Sequence, residues 1–356
     1  MTKKVAYIHG RFGPHVMHGR LAKSIGCEFH KVDEYKRWND GSKSKLFLIY
    51  AWLFNAFAFK KPNQYSYYLV SGPHFSPIIM KFFRLNKGQK LICHLGDETM
   101  YFLFINWYGK PMQFALKWLL NQYDALFCEG QMAADLAILN GINKPRIYTT
   151  YLGVPKERQL ELLKIQRTEI SNNFICIATG PSGWRTFYKG LDLMIDAFSE
   201  AFKKNNSIKF IIVGKWEDDL QRSLLKNCTE ECCNAINFMG HTNEIDKVLA
   251  RADFYLHTSR GDAFPTVVLE AMSAGLIPIV SEWTGSKEVV SAVDPSFVIP
   301  VDIKSVSSKI LDCVRLSKAE RDSIARKMRE ESKKFNQDYA LDHYQKTFHQ
   351  FVSENE

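Results

Sequence analysis

Short apolar runs rich in β-branched and aromatic residues alternate with longer stretches of helical period along most of the chain. In the first half the runs are KVAYIHG (4–10), CEFHKV (27–32), YYLVSG (67–72), KLICHLG (90–96) and DALFCEG (124–130). After a break they resume as FICIATG (174–180), IKFIIVG (208–214), AINFMG (235–240), ADFYLHTS (252–259) and IPIVS (277–281). Runs of this length and composition predict buried strands, and most end in Gly or Ser before a stretch that reads as a helix. Such alternation predicts parallel α/β sheets that hold ligands at the carboxyl ends of their strands. The more polar PKERQLELLKIQRTEISNN (155–173) separates the two series and reads as a linker. The expected architecture is two Rossmann-like domains facing a central cleft, 1–155 and 156–337, with a C-terminal helix from about 338 to 356 packing back on the first. No internal repeat is present.

Composition narrows the class. With 356 residues, 46% hydrophobic and 24% charged, the chain can bury two ordinary cores, so it reads as globular and not disordered. Its eight cysteines are scattered, mostly in apolar runs, with neither zinc-ligand spacing nor a C-x-x-C pair, which points to a reducing, cytoplasmic compartment. The opening MTKKVAYIHG has too short an apolar run for a signal peptide and reads as a first strand. Charge is divided unevenly: residues 1–155 carry 20 Lys+Arg against 9 Asp+Glu, a net of +11, and the remainder carries 27 against 29, a net of −2. A basic first half suits a polyanionic partner. The same half contains KSKLFLIYAWLFNAFAFKK (43–61), whose aromatic and aliphatic centre, Leu46 to Phe59, is flanked by lysines. It reads either as a core helix or as a segment lying in a membrane interface at the inner face of the membrane. No nucleic-acid-binding module is recognisable.

Three segments of the second half carry candidate chemistry. In GDAFPTVVLEAM (261–272), a loop leaves the strand ADFYLHTS, Pro265 takes the first helical position, and Gly275 stops the helix. The stretch Phe264, Pro265, Thr266 and Val267, where the first free amides lie, is expected to face a phosphate of the donor, with Asp262 before it and Glu270 about one and a half turns beyond. Carboxylates at those places accept hydrogen bonds from sugar hydroxyls. In TGPSGWRTFYKGLDLMIDAF (179–198), Arg185 and Lys189 sit on a loop before Gly190 opens a helix, a plausible clamp for a diphosphate. SEWTGSKEVV (281–290) repeats the design, with a Gly285 turn and Glu288 in the next first turn.

Together GPSGWRTFYKG, GDAFPTVVLEAM and AGLIPIVSEWTGSKEVV resemble the nucleotide-sugar half of the retaining glycosyltransferases of family GT4, which have the two-domain GT-B fold. YDALFCEGQMAADLAILNGINKPRIYTTYLGV resembles that family's last strand and helix before the domain crossover, so the likeness covers most of the chain. It implies a nucleoside-diphosphate-sugar donor, no cofactor, and a metal-independent transfer in which the leaving phosphate helps deprotonate an acceptor hydroxyl. The acceptor is expected to be a glycan or a lipid-linked glycan precursor. Arg185 and Lys189 would hold the diphosphate, Glu270 the ribose and Asp262 the transferred sugar. The first acid of the family motif is usually glutamate, and Asp262 is one methylene shorter; the family's arginine also usually sits closer to the preceding glycine than Arg185 does. In the first half, the resemblance implies that the turn GRFGPHVMHGRLA (10–22) brings Gly13 near the donor phosphates and Arg11 to the acceptor side. His94, leaving a strand in LICHLGDETMYF, would contact the transferred sugar; Asp97 and Glu129 would face the acceptor. No D-x-D element is placed to bind a metal; EDD at 217–219 opens a helix. A catalytically silent subunit of this fold, or a sugar-nucleotide epimerase, remains an alternative.

Overall fold

A computed structural model describes residues 4–10, 16–31, 45–143, 145–166, 170–180 and 183–355. The chain forms two compact units, Met1–Tyr151 with Ala340–Glu356, and Leu152–Tyr339. The first holds six strands, β1 (Val5–His9), β2 (Cys27–Lys31), β3 (Tyr67–Ser71), β4 (Lys90–Leu95), β5 (Ala125–Glu129) and β6 (Arg146–Thr150). They lie parallel in the order β2-β1-β3-β4-β5-β6. The second holds β7 (Asn173–Ile177), β8 (Lys209–Val213), β9 (Ile236–Gly240), β10 (Phe254–His257), β11 (Ile277–Ser281) and β12 (Val298–Ile299), also parallel, in the order β12-β11-β10-β7-β8-β9.

Central strands are buried along their length, as helices on both faces of a parallel sheet require, and this is why β4, β5, β10 and β11 read as continuous apolar runs. β6 was not expected as a separate strand. It lies at a sheet edge with most residues half-exposed, so RIYTT carries no buried run to recognise. β12 is two residues long and equally silent in the pattern. The helix Gln337–Ser353 enters the first unit, where Phe348 and Phe351 pack edge-on against Tyr67, and Tyr344 and Phe351 against Phe127.

The stretch expected as a linker contains a helix, Lys156–Leu163. Its polar letters come from the exposed face, while Gln159 and Leu162 are buried and the helix packs on Thr266–Ser273. This correction matters for the site, because it brings Arg158 to the second acid of the motif.

Candidate active site

In the second sheet the chain proceeds outward from β7 to β8 and β9, and in the opposite direction from β10 to β11 and β12. The boundary between β7 and β10 is therefore the topological switch point, where parallel sheets open a crevice at their carboxyl ends. The residues singled out in the second half leave these strand ends. Arg185 and Lys189 lie on a short helix, Gly183–Lys189, and not on a loop; four residues apart, they share one face of it.

Lys189 Nζ lies 2.6 Å from Asp262 Oδ2. The same oxygen is 3.1 Å from His257 Nε2, and Oδ1 accepts a hydrogen bond of 3.0 Å from the Tyr188 hydroxyl. Asp262 is thus a buried hub with both oxygens engaged, which differs from the sugar contact expected of it. Burial by itself would raise its pKa, but the Lys189 charge and the neighbouring His257 outweigh that and hold the carboxyl well below its ordinary range. His257 is shifted down because complete burial disfavours the imidazolium more than Asp262 favours it. A neutral imidazole therefore donates to a fixed carboxylate. Lys189 also sits 4.6 Å from the centroid of the Tyr188 ring, a cation–π contact. Arg185 donates from Nε to the Thr179 carbonyl at 2.9 Å, tying its helix back to the end of β7.

Two glycines make this loop packing possible. Gly190 has φ +69, and a Cβ there would lie 2.1 Å from the Thr258 carbonyl oxygen. A Cβ on Gly285 would lie 1.4 Å from the Ala263 carbonyl oxygen, and the Gly285 amide donates to the Asp262 carbonyl at 2.7 Å. Gly285 is therefore a packing position that supports the loop bearing Asp262. Ser259 and Ser281 both meet the Thr284 hydroxyl at 2.9 Å and complete the stitch between the loops after β10 and β11. We expect Gly285→Ala to displace residues 262–263 and to lower both the melting temperature and nucleotide affinity; unchanged values in a thermal titration would refute this role.

The helix Thr266–Ser273 follows directly. Pro265 caps it in an extended conformation, one position earlier than expected, and Gly275 with φ +82 ends it. Phe264 is buried, 5.9 Å from the Phe335 ring centroid, whereas Thr266 and Val267 in the first turn are half-buried. Val268 donates to the Pro265 carbonyl at 3.2 Å, whereas the Thr266 and Val267 amides precede the first intrahelical bonds and bear the positive end of the helix dipole. Glu270, further along the helix, is 3.8 Å from Arg158 Nε, and Arg158 Nη2 is 2.6 Å from Asp246 Oδ1. Burial raises the Glu270 pKa, Arg158 opposes the rise and Asp246 adds to it; the net direction is upward. His257, Tyr188, Arg158 and Asp246 are members of this constellation that sequence reasoning missed. His257 and Tyr188 stood adjacent to recognised segments, but only the fold shows that they point at Asp262.

Arg11 and Gly13 of the first unit lie outside the described residues. His94 is the next-to-last residue of β4 and is buried, with Nε2 2.9 Å from Glu129 Oε1, and His18 Nε2 is 2.6 Å from the same oxygen. Glu129 is 1% exposed, so its carboxylate faces imidazoles and not an acceptor. Two imidazoles outweigh the penalty of burial and hold Glu129 below the ordinary carboxylate range. Asp97 accepts from the Thr99 amide at 3.0 Å, just before the helix Thr99–Phe104, whose N-cap is Glu98.

Two parallel six-stranded sheets in these strand orders give the chain the GT-B fold. The family described as glycosyl transferases group 1 matches residues 174–315, within the second unit. The sucrose-phosphate synthase of Thermosynechococcus elongatus superposes with a TM-score of 0.72 at 13% identity, covering 99% of this chain and 100% of that one. The Anabaena protein Alr3699/HepE, solved with UDP and glucose, gives 0.67 at 15% identity, covering 99% of both chains. In sequence, the phosphatidylinositol N-acetylglucosaminyltransferase gpi3 subunit of Schizosaccharomyces pombe is 24% identical over 203 residues, which is 55% of this chain and 43% of that relative. The match thus spans less than half the length of that relative.

Proposed function

We propose that the chain is a retaining glycosyltransferase that moves a sugar from a nucleoside-diphosphate-sugar to a hydroxyl of a lipid-linked acceptor. The observation that carries this reading is the Lys189–Asp262 pair at the switch point of the second sheet, followed directly by the amino end of the helix that bears Glu270. Lys189, Arg185 and the first-turn amides supply positive charge where a departing diphosphate gains negative charge. Asp262 fixes the Lys189 ammonium, leaving two of its three N–H groups to reach oxygen ligands, so Asp262 is a positioning residue. Glu270 accepts the ribose hydroxyls, and Arg158 orients its carboxylate. The leaving phosphate takes the acceptor proton, as in the retaining family that the sequence resembles. UDP bound to the Anabaena neighbour favours a uridine donor, and the phosphatidylinositol named for the yeast relative favours a lipid acceptor.

The test is a calorimetric titration with UDP, GDP, ADP and their sugar conjugates. One nucleotide should bind the wild type, and Lys189→Ala or Glu270→Gln should each weaken it at least about tenfold, roughly 1.4 kcal/mol. Equal affinities in all three proteins would overturn the site. Since the Glu270 pKa is raised, its carboxylate is lost at a higher pH than an ordinary glutamate's, and affinity should fall early on acidification; Glu270→Gln should flatten that profile. The raised value also means that the unfolded chain ionises first, so stability declines as pH rises from the unfolded pKa through the folded one. Glu270→Gln should accordingly raise the melting temperature of the nucleotide-free protein at neutral pH.

The lipid acceptor fits the first unit. Phe54 and Phe57 on Lys45–Ala58, Phe82 and Phe83 on Phe75–Phe83, and Phe114 and Trp118 on Lys110–Leu120 are all exposed, with Phe83 at 72% and Phe114 at 74%. Ring contacts join them: Phe57 to Phe83 at 6.4 Å between centroids, and Phe82 stacked on Trp118 at 6.5 Å. Exposed Lys60, Lys61 and Lys87 lie in the same two stretches of chain, beside the ends of these helices. Among the described residues, no helix is long and apolar enough to cross a membrane. We propose that this patch lies in the headgroup region of an anionic bilayer. Vesicles containing phosphatidylglycerol should carry the protein in flotation, high salt should weaken the binding, and Phe83→Ser with Phe114→Ser should abolish most of it. Flotation unaffected by the double change would sink the proposal.

A further inference from the structure

We propose that the first unit binds a transition-metal ion of the zinc class through His18, His94 and Glu129. Their donor atoms lie within 4.8 Å of one another, and no other group of three His, Cys, Asp or Glu side chains converges in this way among the described residues. The three come from separate elements: His18 from the helix Val16–Ser24, His94 from the carboxyl end of β4 and Glu129 from that of β5. β4 and β5 are adjacent strands, so the parallel sheet itself sets His94 beside Glu129.

The donor set is that of an open zinc site: two imidazole nitrogens, one carboxylate oxygen and a fourth position for water or a hydroxyl oxygen. Both nitrogens are Nε2 and both converge on Glu129 Oε1, at 2.6 and 2.9 Å, while the imidazole centroids stand 4.9 Å apart and tilted by 52°. His94 Nε2 and Glu129 Oε1 are both buried, and their 2.9 Å contact is not aligned as a hydrogen bond. A cation held between them would replace that misaligned contact with directed ligand bonds to each. Ligand atoms around a tetrahedral zinc ion, with bonds of about 2.0–2.2 Å, stand roughly 3.3 Å apart, so binding requires the Glu129 oxygen to draw back from the two nitrogens by about 0.4–0.7 Å. Of the three, His18 is the partly exposed member, with 18% of its side chain accessible, and it provides the side from which an ion enters.

The seat of the carboxylate is built into the chain. A Cβ on Gly96 would fall 2.5 Å from the Glu129 carboxylate, so the turn leaving β4 passes Glu129 only as glycine. His94 is further packed against the Tyr344 ring, at 5.5 Å between centroids. The donor-binding part of the glycosyl-transfer reading rests on residues of the second unit, and the metal proposal stands or falls separately from it.

The experiment uses the tag-free full chain, stripped with dipicolinate and titrated with Co²⁺ and then Zn²⁺. One equivalent of Co²⁺ should bind, with visible d–d bands of the intensity of a four- or five-coordinate site, and Zn²⁺ should displace it. His18→Ala, which changes the least buried ligand, should weaken binding more than tenfold and bleach the bands; His94→Ala should do the same if it folds. Binding of less than a tenth of an equivalent, or the same stoichiometry and spectrum in His18→Ala as in the wild type, would overturn the proposal and leave a metal-free His–Glu–His cluster. Nucleotide affinity, measured alongside, should be the same in His18→Ala and the wild type.

Discussion

Lys189→Met is expected to cut glycosyl transfer by roughly 10²–10³-fold, the loss typical when a preorganised donor to developing negative charge is removed. The same change leaves Asp262 buried with, among the described residues, the neutral His257 and Tyr188 as side-chain partners, and breaking a buried pair on one side costs about 3–5 kcal/mol of stability. Asp262→Asn alone strands the ammonium instead and should destabilise similarly. In the double variant both charges are gone, and most of the stability should return while transfer stays low. Folding and turnover are thereby separated, as they must be if Lys189 meets the substrate and Asp262 only holds Lys189. A double variant with restored turnover would show that neither charge acts on the diphosphate. An acid titration adds a second check. The folded-state pKa of Asp262 is depressed below its ordinary 3.8, so its contribution to stability is complete above that value and disappears as pH falls through the folded-state pKa. Asp262→Asn should lose that limb of the acid-unfolding curve.

The fold class and the positions of most strands could be read from the chain because parallel sheets bury whole runs, and such runs survive as uninterrupted apolar letters. β6 and β12 escaped for the complementary reason, since an edge strand that is half-exposed and a two-residue strand leave no run. Within the site, Lys189, Asp262 and Glu270 were legible because each follows a strand-ending turn at a spacing that means something. Their partners were not. Tyr188 and His257 reach Asp262 across 74 and 5 residues of sequence, and Arg158 sits on a helix whose exposed face made it look like a connector. Side-chain direction decides these contacts, and periodicity in one dimension does not encode it. The same limit hid the meeting of His18 with His94 and Glu129, residues brought together by three separate elements. It also hid that Asp262, expected to meet the transferred sugar, is paired with Lys189, His257 and Tyr188.

Arg321 offers the largest effect on stability that should leave the site untouched. Its guanidinium is buried beneath the amino ends of β7 and β10, at the opposite edge of the sheet from Lys189. Nε donates to the Leu316 carbonyl at 3.1 Å; Nη1 donates to the Ser171 carbonyl at 2.7 Å and to Asp253 Oδ2 at 2.8 Å; Nη2 donates to the Val314 carbonyl at 2.9 Å and to Asn172 Oδ1 at 3.1 Å. All five donors are satisfied, and the plane lies 4.9 Å from the Phe254 ring centroid. Asp253 is 3% exposed, and the Ser171 amide also donates to it at 2.9 Å. Arg321→Met should therefore remove about 3–5 kcal/mol, because it abandons a buried carboxylate together with three carbonyls that have lost a donor. Arg321→Lys should recover little, since a compact ammonium cannot reproduce the planar fork that meets five acceptors at once. Nucleotide affinity of the folded fraction should match the wild type, because the two clusters share no partner. Denaturant unfolding and calorimetry on the same preparations measure both quantities, and a lysine variant as stable as the wild type would show that charge alone, without the fork geometry, holds this end of the sheet.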